Sequence, residues 1–439
     1  MLNLQKYNQV SEYITEVCNQ IRSSRAHQAV AKEINDHIED QKDAFVLDGQ
    51  DEETAISNAI KEMGDPIVVG EQLDKIHRPK PEKSIIFTVI CLVLLQLLSV
   101  LLLRREIVEI GSYILAIFSG ILIMWCIYFI DYSRIVRFSP YIYIALSLIC
   151  FIISLNNNRI HLIRVSNYYE ITYYFSLLMI VVYAMVIINY KNQGYKGYII
   201  CFLMLILGIG VNLLAGNVSS LIVFCIGSGI LLLYACLRNV YKVNKKLMIL
   251  GWLFLYGFMG AVVLINISMP WSYLHDRLMF IIYPYQYANS GGYTRVLIRE
   301  TLSNTQFIGE AVLPIVIDNK MLYEVIPYIY TNYQLTYFIS KFGYFVGIAV
   351  VFIIMFLILR MFMSTFKQKN QQGMFISLGC SIVILIQSVF YILANLGYEI
   401  VGTISLPLLS YGKASFIVNM LIIGIMLCTY RNDALVERK

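Results

Sequence analysis

The chain has 439 residues, 58% of them apolar and only 14% charged, with a mean hydropathy of +0.67 and a formal charge of +6. So little charge cannot solvate a soluble chain of this length, which excludes a water-soluble globular enzyme and leaves an all-α, polytopic membrane protein. No basic face with interleaved stacking aromatics occurs outside the apolar runs, so the positive surplus is assigned to membrane orientation, and nucleic acid is excluded as a partner.

Residues 1–80 differ in kind from the rest. Leu4, Tyr7, Val10, Tyr13, Ile14, Val17 and Ile21 recur at three- and four-residue steps, and Ile34, Ile38 and Phe45 carry a similar stripe, which predicts amphipathic helices. DEETAISNAIKEM starts a third helix with acidic residues in its first turn, and Gly64, Asp65 and Pro66 stop it before a short fourth. With no 18-residue apolar run and no signal-peptide core, this segment reads as a small soluble domain on the cytosolic side. The acidic first turn and the MGDP ending resemble the helical prefix domains found ahead of bacterial permeases and membrane-associated regulators, which implies a docking or stabilising module.

HRPKPEK links this domain to residues 81–439, the membrane part. At about 20 apolar residues per crossing, ten spans are expected, near 85–103, 107–130, 139–155, 171–189, 198–215, 218–236, 247–268, 333–360, 374–397 and 404–429. Most of the nine cysteines lie inside these runs without metal-ligand spacing, so they read as small core hydrophobes and no metal site is expected. Basic residues concentrate on alternate loops: Arg134 and Arg137, Lys191 and Lys196, Arg238 to Lys246, and Arg360 to Lys369. The side richer in Lys and Arg is the cytosolic one, so both chain ends are expected there. The long polar loop 269–332 is then extracytoplasmic. Its length, charge and tyrosines mark it as functional. The tyrosines fit an aromatic belt at headgroup level, with stacking on a sugar face as the alternative.

Within that loop Arg277, Arg295, Arg299 and Lys320 supply cations, and Asp318, Glu310 and Glu324 supply carboxylates. Planar guanidinium groups suit paired phosphate oxygens and a carboxylate can accept a proton; the same charges also serve simply to solvate an outer loop. Gln387 and Asn395 are the main polar residues of the ninth span, either lining a groove or hydrogen-bonding between helices.

Ten spans, a large outer loop after the seventh and LPLLSYGKASF (406–416) at the tenth resemble the SEDS family of bacterial cell-division and cell-shape proteins, the FtsW, RodA and SpoVE group. Leu406, Pro407, Ser410, Tyr411, Gly412 and Ser415 match the family's Ser-Tyr-Gly block; Lys413 and Ala414 depart from it. Arg277 and Pro284 are similar to an Arg-led segment ending in Asn-Pro, and Glu324, Pro327 and Thr331 to a Glu-x-Leu-Pro-Glu-x-His-Thr-Asp-Phe stretch. Asn395, Leu396 and Gly397 resemble the family's Asn-Leu-Gly, and Glu170 its Gln-Pro-Ser-Glu glutamate. The resemblance implies a glycosyltransferase of the bacterial cell membrane that polymerises lipid II, or another polyprenyl-linked saccharide, beside a class B penicillin-binding-protein-like transpeptidase. It implies binding roles for Arg277, Arg295, Arg299, Lys320, Gln387, Asn395, Ser410 and Tyr411. It names no cofactor, and a divalent cation stays open as a candidate.

The departures fall at charged positions. The family's catalytic Asp is Asn332 here, and an amide cannot accept the proton. Tyr328 and Tyr330 replace the Glu and His of the same stretch, Asn217 replaces the Asp before the sixth span, and Tyr173 replaces a Lys. Three readings stay open: a polymerase whose base is Glu324 or Asp318; a degenerate relative that keeps the groove as a scaffold or regulator; and a transporter or flippase of lipid-linked precursors.

Overall fold

A computed structural model describes residues 2–22, 24–77, 82–102, 110–159, 168–311, 316–317, 320–321, 325–329, 331–402, 404, 408–409 and 412–433. They form helices α1 (Leu2–Gln20), α2 (Ser24–Leu47), α3 (Glu52–Met63), α4 (Pro66–His77), α5 (Lys83–Leu102), α6 (Ile110–Phe129), α7 (Tyr132–Arg159), α8 (Tyr168–Asn189), α9 (Gly194–Leu214), α10 (Val218–Leu237), α11 (Lys245–Ser268), α12 (Tyr273–Ile282), α13 (Tyr293–Ser303), α14 (Gln334–Phe342), α15 (Tyr344–Lys367), α16 (Gln371–Asn395) and α17 (Lys413–Asn432). Among the described residues, β structure is limited to two-residue strands, Val316–Ile317 and Lys320–Met321, paired antiparallel. The contacts divide the chain into two units, one of residues 1–81 with 368–370 and 430–439, the other of 82–367 and 371–429.

In the first unit, the stripe on α1 and α2 closes a small core in which Tyr13, Val17, Ile21, Ile34 and Ile38 are buried with Ala59 of α3. The Asp51 carboxylate accepts from the Thr54 amide and caps α3, and Gly64 ends it at φ +83°. Pro66 then opens α4, where its missing N–H costs nothing.

The second unit holds the membrane helices. Eight, α7 to α11 and α15 to α17, are long and apolar enough to cross a bilayer, and α5 and α6 add two shorter apolar helices, so the chain is a multi-pass membrane protein. α8 and α16 are the most enclosed spans, with 78% and 72% of an 18-residue apolar stretch of each buried, and α8 packs on α7, α10 and α16. Helices in hydrocarbon gain little from apolar burial, so polar contacts matter more between them. Hydroxyls of Tyr143, Tyr183 and Tyr256 donate to the carbonyls of Met204, Cys201 and Cys225 on neighbouring helices. These three tyrosines therefore join helices within the spans.

Three span boundaries differ from expectation. α7 begins at Tyr132 and runs through Pro140, because the Ser139 hydroxyl donates to Val136 O at 2.7 Å and satisfies the carbonyl that proline cannot. The run 333–360 is two helices, α14 and α15, parted at Gly343. That residue has φ +94°, and a Cβ on it would stand 2.6 Å from Phe307 O, so no other residue fits. The tenth span starts at Lys413 rather than 404, and Ile404, Leu408 and Leu409 are buried in non-helical chain with Leu408 at φ +65°.

Candidate functional site

A cavity of about 570 Å³ opens within the membrane unit, lined by Glu170, Tyr173 and Tyr174 of α8, the 216–219 turn, Tyr273 and Arg277 of α12, Asn332 and Gly402. Each side chain is placed by a local device. Asn217 caps α10, its Oδ1 accepting from the amides of Ser219 at 3.1 Å and Ser220 at 3.2 Å. An aspartate would cap equally well, so the amide costs the helix little and removes a charge from the cavity. Asn332 lies in a tight turn in which Tyr328 O accepts from the amides of Thr331, Asn332 and Tyr333. Arg277 is tethered within its own helix: Nη1 donates to the Tyr273 hydroxyl at 3.1 Å, with the guanidinium 5.7 Å from that ring's centroid. A methyl group on Gly402 would stand 2.9 Å from Ser219 Oγ and 3.4 Å from Arg277 Nη2, so glycine lets this wall approach closely.

Glu399, to which the sequence reading gave no role, joins these pieces. Its carboxylate stands 3.8 Å from Arg277 Nη2 and 3.6 Å from Arg295 Nη2, and accepts from the Tyr333 hydroxyl at 3.1 Å. Burial first, and then the Glu399 carboxylate, pushes the Tyr333 phenol well above its ordinary range, so it stays a donor. Two guanidinium groups against one carboxylate leave this corner net positive, as an anion site requires.

The other expected residues are placed as follows. Arg295 is 5% exposed and donates to Gly291 O at 2.6 Å and Glu399 O at 3.0 Å. Arg299 donates to Ile281 O at 3.0 Å and Gly397 O at 3.2 Å and stacks 4.5 Å over Tyr398. Neither is among the lining residues; both fasten main chain. Gln387 donates to Asn419 Oδ1 at 3.1 Å, and Asn395 bonds Thr336, Tyr391 and Asn332 O, so both join helices and turns. Glu310 pairs with Lys341 at the surface, a contact worth about 0–1 kcal/mol. Lys320 lies in the two-residue strand pair. Asp318, Glu324, Ser410, Tyr411 and Tyr330 lie outside the described residues.

Comparison with known proteins agrees with this architecture. The chain is 32% identical over 97 residues to the probable peptidoglycan glycosyltransferase FtsW of Enterococcus hirae, covering 22% of this chain and 24% of that protein. It is 31% identical over 105 residues to the peptidoglycan glycosyltransferase MrdB of Helicobacter pylori, covering 24% and 28%. The matched stretches thus span about a quarter of those relatives' length. Among solved structures, a chain of a peptidoglycan synthase complex that coordinates polymerization and crosslinking shares the fold, with a TM-score of 0.60 at 17% identity over 80% of this chain and 97% of that one. The rod shape determining protein RodA of Thermus thermophilus does so with a TM-score of 0.50 at 16% identity, over 79% and 96%. The profile of the FtsW, RodA and SpoVE group, described as cell cycle protein, matches residues 83–434, from the first apolar helix through the last; the chain belongs to that family.

Proposed function

We propose that this protein binds a polyprenyl-linked saccharide of the lipid II class in the cavity beside Arg277 and serves peptidoglycan assembly during cell division or cell shaping. One observation carries the reading. Glu170, Tyr173, Asn217, Arg277 and Asn332, singled out in separate stretches by match or departure from the family's motifs, line a single cavity. Its volume lies within the range of small-ligand sites. Arg277 offers a planar donor to a phosphate, the amides of Asn217 and Asn332 suit sugar hydroxyls, and Tyr173, Tyr174 and Tyr273 offer ring faces. The alternation of basic loops supports an extracytoplasmic opening with both chain ends cytosolic. In that setting a class B penicillin-binding-protein-like transpeptidase is the expected partner.

Sugar transfer needs a group to accept the proton of the attacking hydroxyl. Asn332 cannot do so, and Glu170 is the one carboxylate among the described lining residues. A divalent cation would find the same carboxylate, an arrangement usual for Mg²⁺ when phosphates complete the shell. The reading is therefore tight recognition with weak turnover. The test uses the full chain in nanodiscs with purified lipid II and Mg²⁺. Binding is expected, Arg277→Gln is expected to weaken it by roughly tenfold or more, and gels should show little glycan. Absence of binding by the unaltered protein removes the lipid II assignment; abundant glycan removes the weak-turnover reading.

A further inference from the structure

Arg277 is the cation of the cavity wall, and its tether within its own helix, one tyrosine a turn away, leaves a long side chain with rotational freedom. Aim must come from elsewhere. The chain leaving α16 supplies it. There the main chain is clamped from α13, with Arg299 Nη2 on Gly397 O and Arg295 Nη2 on Glu399 O. The Glu399 carboxylate projects from this fixed segment toward Arg277 at 3.8 Å and receives the Tyr333 hydroxyl at 3.1 Å. Tyr333 directly follows Asn332, whose carbonyl accepts from Asn395 Nδ2 at 3.1 Å, so the Asn332 turn is fastened to the same end of α16. At 3.8 Å the pair with Arg277 is an ion pair without a hydrogen bond: the carboxylate orients the guanidinium without occupying its donors. All three side chains are largely enclosed, exposed by 15% for Arg277, 7% for Arg295 and 13% for Glu399, so screening by solvent is weak.

The geometry points to Glu399 as a positioning residue that aims the Arg277 guanidinium into the cavity and holds the Asn332 turn beside it. The consequence for ligand binding rests on the lipid-linked reading above; the orientation itself does not. A plain counterion to Arg295 would stabilise the fold and leave Arg277 indifferent, and the two roles separate by experiment.

The first measurement needs no ligand. Full-length protein in nanodiscs is treated with phenylglyoxal, and modification of Arg277 is followed by mass spectrometry against the exposed Arg238. Glu399→Gln should speed modification of Arg277 severalfold and leave Arg238 unchanged; an unchanged rate at Arg277 overturns the inference. Tyr333→Phe, which deletes one hydroxyl, should give a smaller rise in the same sense and serves if Glu399→Gln folds poorly. The second measurement is lipid II affinity. Glu399→Gln should weaken it by about tenfold, Glu399→Asp should retain most of it, and in an Arg277→Gln background Glu399→Gln should add less than about twofold. Equal losses in both backgrounds overturn the positioning role. If the unaltered protein binds no lipid II, the cavity's proposed function falls, and the phenylglyoxal rates alone decide whether Glu399 aims Arg277.

Discussion

Replacing Asn395 by leucine removes a side chain of α16 that completes the start of α14. The first amides of any helix lack intrahelical acceptors, and the cap residue Tyr333 supplies none from its side chain. α16 provides them: the Tyr391 hydroxyl accepts from Leu335 N at 3.0 Å and Asn395 Oδ1 accepts from Thr336 N at 3.0 Å. Leu335, Thr336, Tyr391 and Asn395 are all buried, so water cannot substitute. Leucine matches asparagine closely in shape, and little cavity follows. The Thr336 hydroxyl keeps Asn395 O at 2.9 Å. The main loss is one buried amide without an acceptor, about 1–3 kcal/mol. The bond from Asn395 Nδ2 to Asn332 O adds less, since that contact is half-buried. Asn395→Leu is therefore expected to destabilise by about 2 kcal/mol, and Tyr391→Phe by a similar amount through Leu335 N. Equilibrium unfolding in mixed micelles, followed by tryptophan emission, gives the midpoint and slope. A midpoint shift under about 0.5 kcal/mol at constant slope for both variants refutes the account of how α14 is capped.

Arg299→Lys loses the planar stack on Tyr398 and the guanidinium that spans Ile281 O and Gly397 O, and about 1–2 kcal/mol of stability is expected to go with it; equal unfolding midpoints would contradict this. Gly402→Ala sets a methyl 2.9 Å from Ser219 Oγ and 3.4 Å from Arg277 Nη2, so lipid II affinity should fall while stability drops by about 1 kcal/mol; unchanged affinity moves the ligand elsewhere. Asn332→Asp restores a titratable acceptor in the cavity. Glycan formation should rise above that of the unaltered protein and increase with pH as the carboxyl ionises; no gain at any pH denies position 332 the role of base.

The apolar helices were legible because hydrocarbon thickness fixes how many apolar residues a span needs; eight of the described helices are long enough to cross and two more are shorter. Their ends were not, since apolar composition does not distinguish helix from buried irregular chain. Gly343 splits one apolar run through a positive φ, and Leu408 and Leu409 are buried without being helical. The cavity was reachable in part. Glu170, Asn217, Arg277 and Asn332 were marked through motif resemblance, but periodicity carries no information on which loops meet, so their convergence appears only in three dimensions. Glu399 gave no signal of its own: it is one acid in YEIVGT, and its meaning lies in partners as distant in the chain as Arg277 and Arg295.

The reading of Arg295 and Arg299 as phosphate cations shows why residue type was not enough. Spaced i, i+4, they share one face of α13, and Val296, Leu297 and Ile298 beside them are buried, so that helix packs inward rather than facing a ligand. Opposite stands the chain that leaves α16, near the partial negative end of the helix dipole. The last carbonyls of α16 itself are met by the amides of Leu396, Gly397 and Tyr398 and by the Thr336 hydroxyl, and the guanidinium groups bond the carbonyls just beyond them, at Gly397 and Glu399. A basic pair on a half-apolar helix of the 269–332 loop has two competing destinations, a ligand's phosphate or the main chain that leaves another helix. The second wins here because the Asn-Leu-Gly ending stops α16 beneath α13's basic face. Arg277 differs in one respect: its short helix buries no residue, and among the described residues its hydrogen bond is to the Tyr273 hydroxyl rather than to main chain, so its charge stays with the cavity.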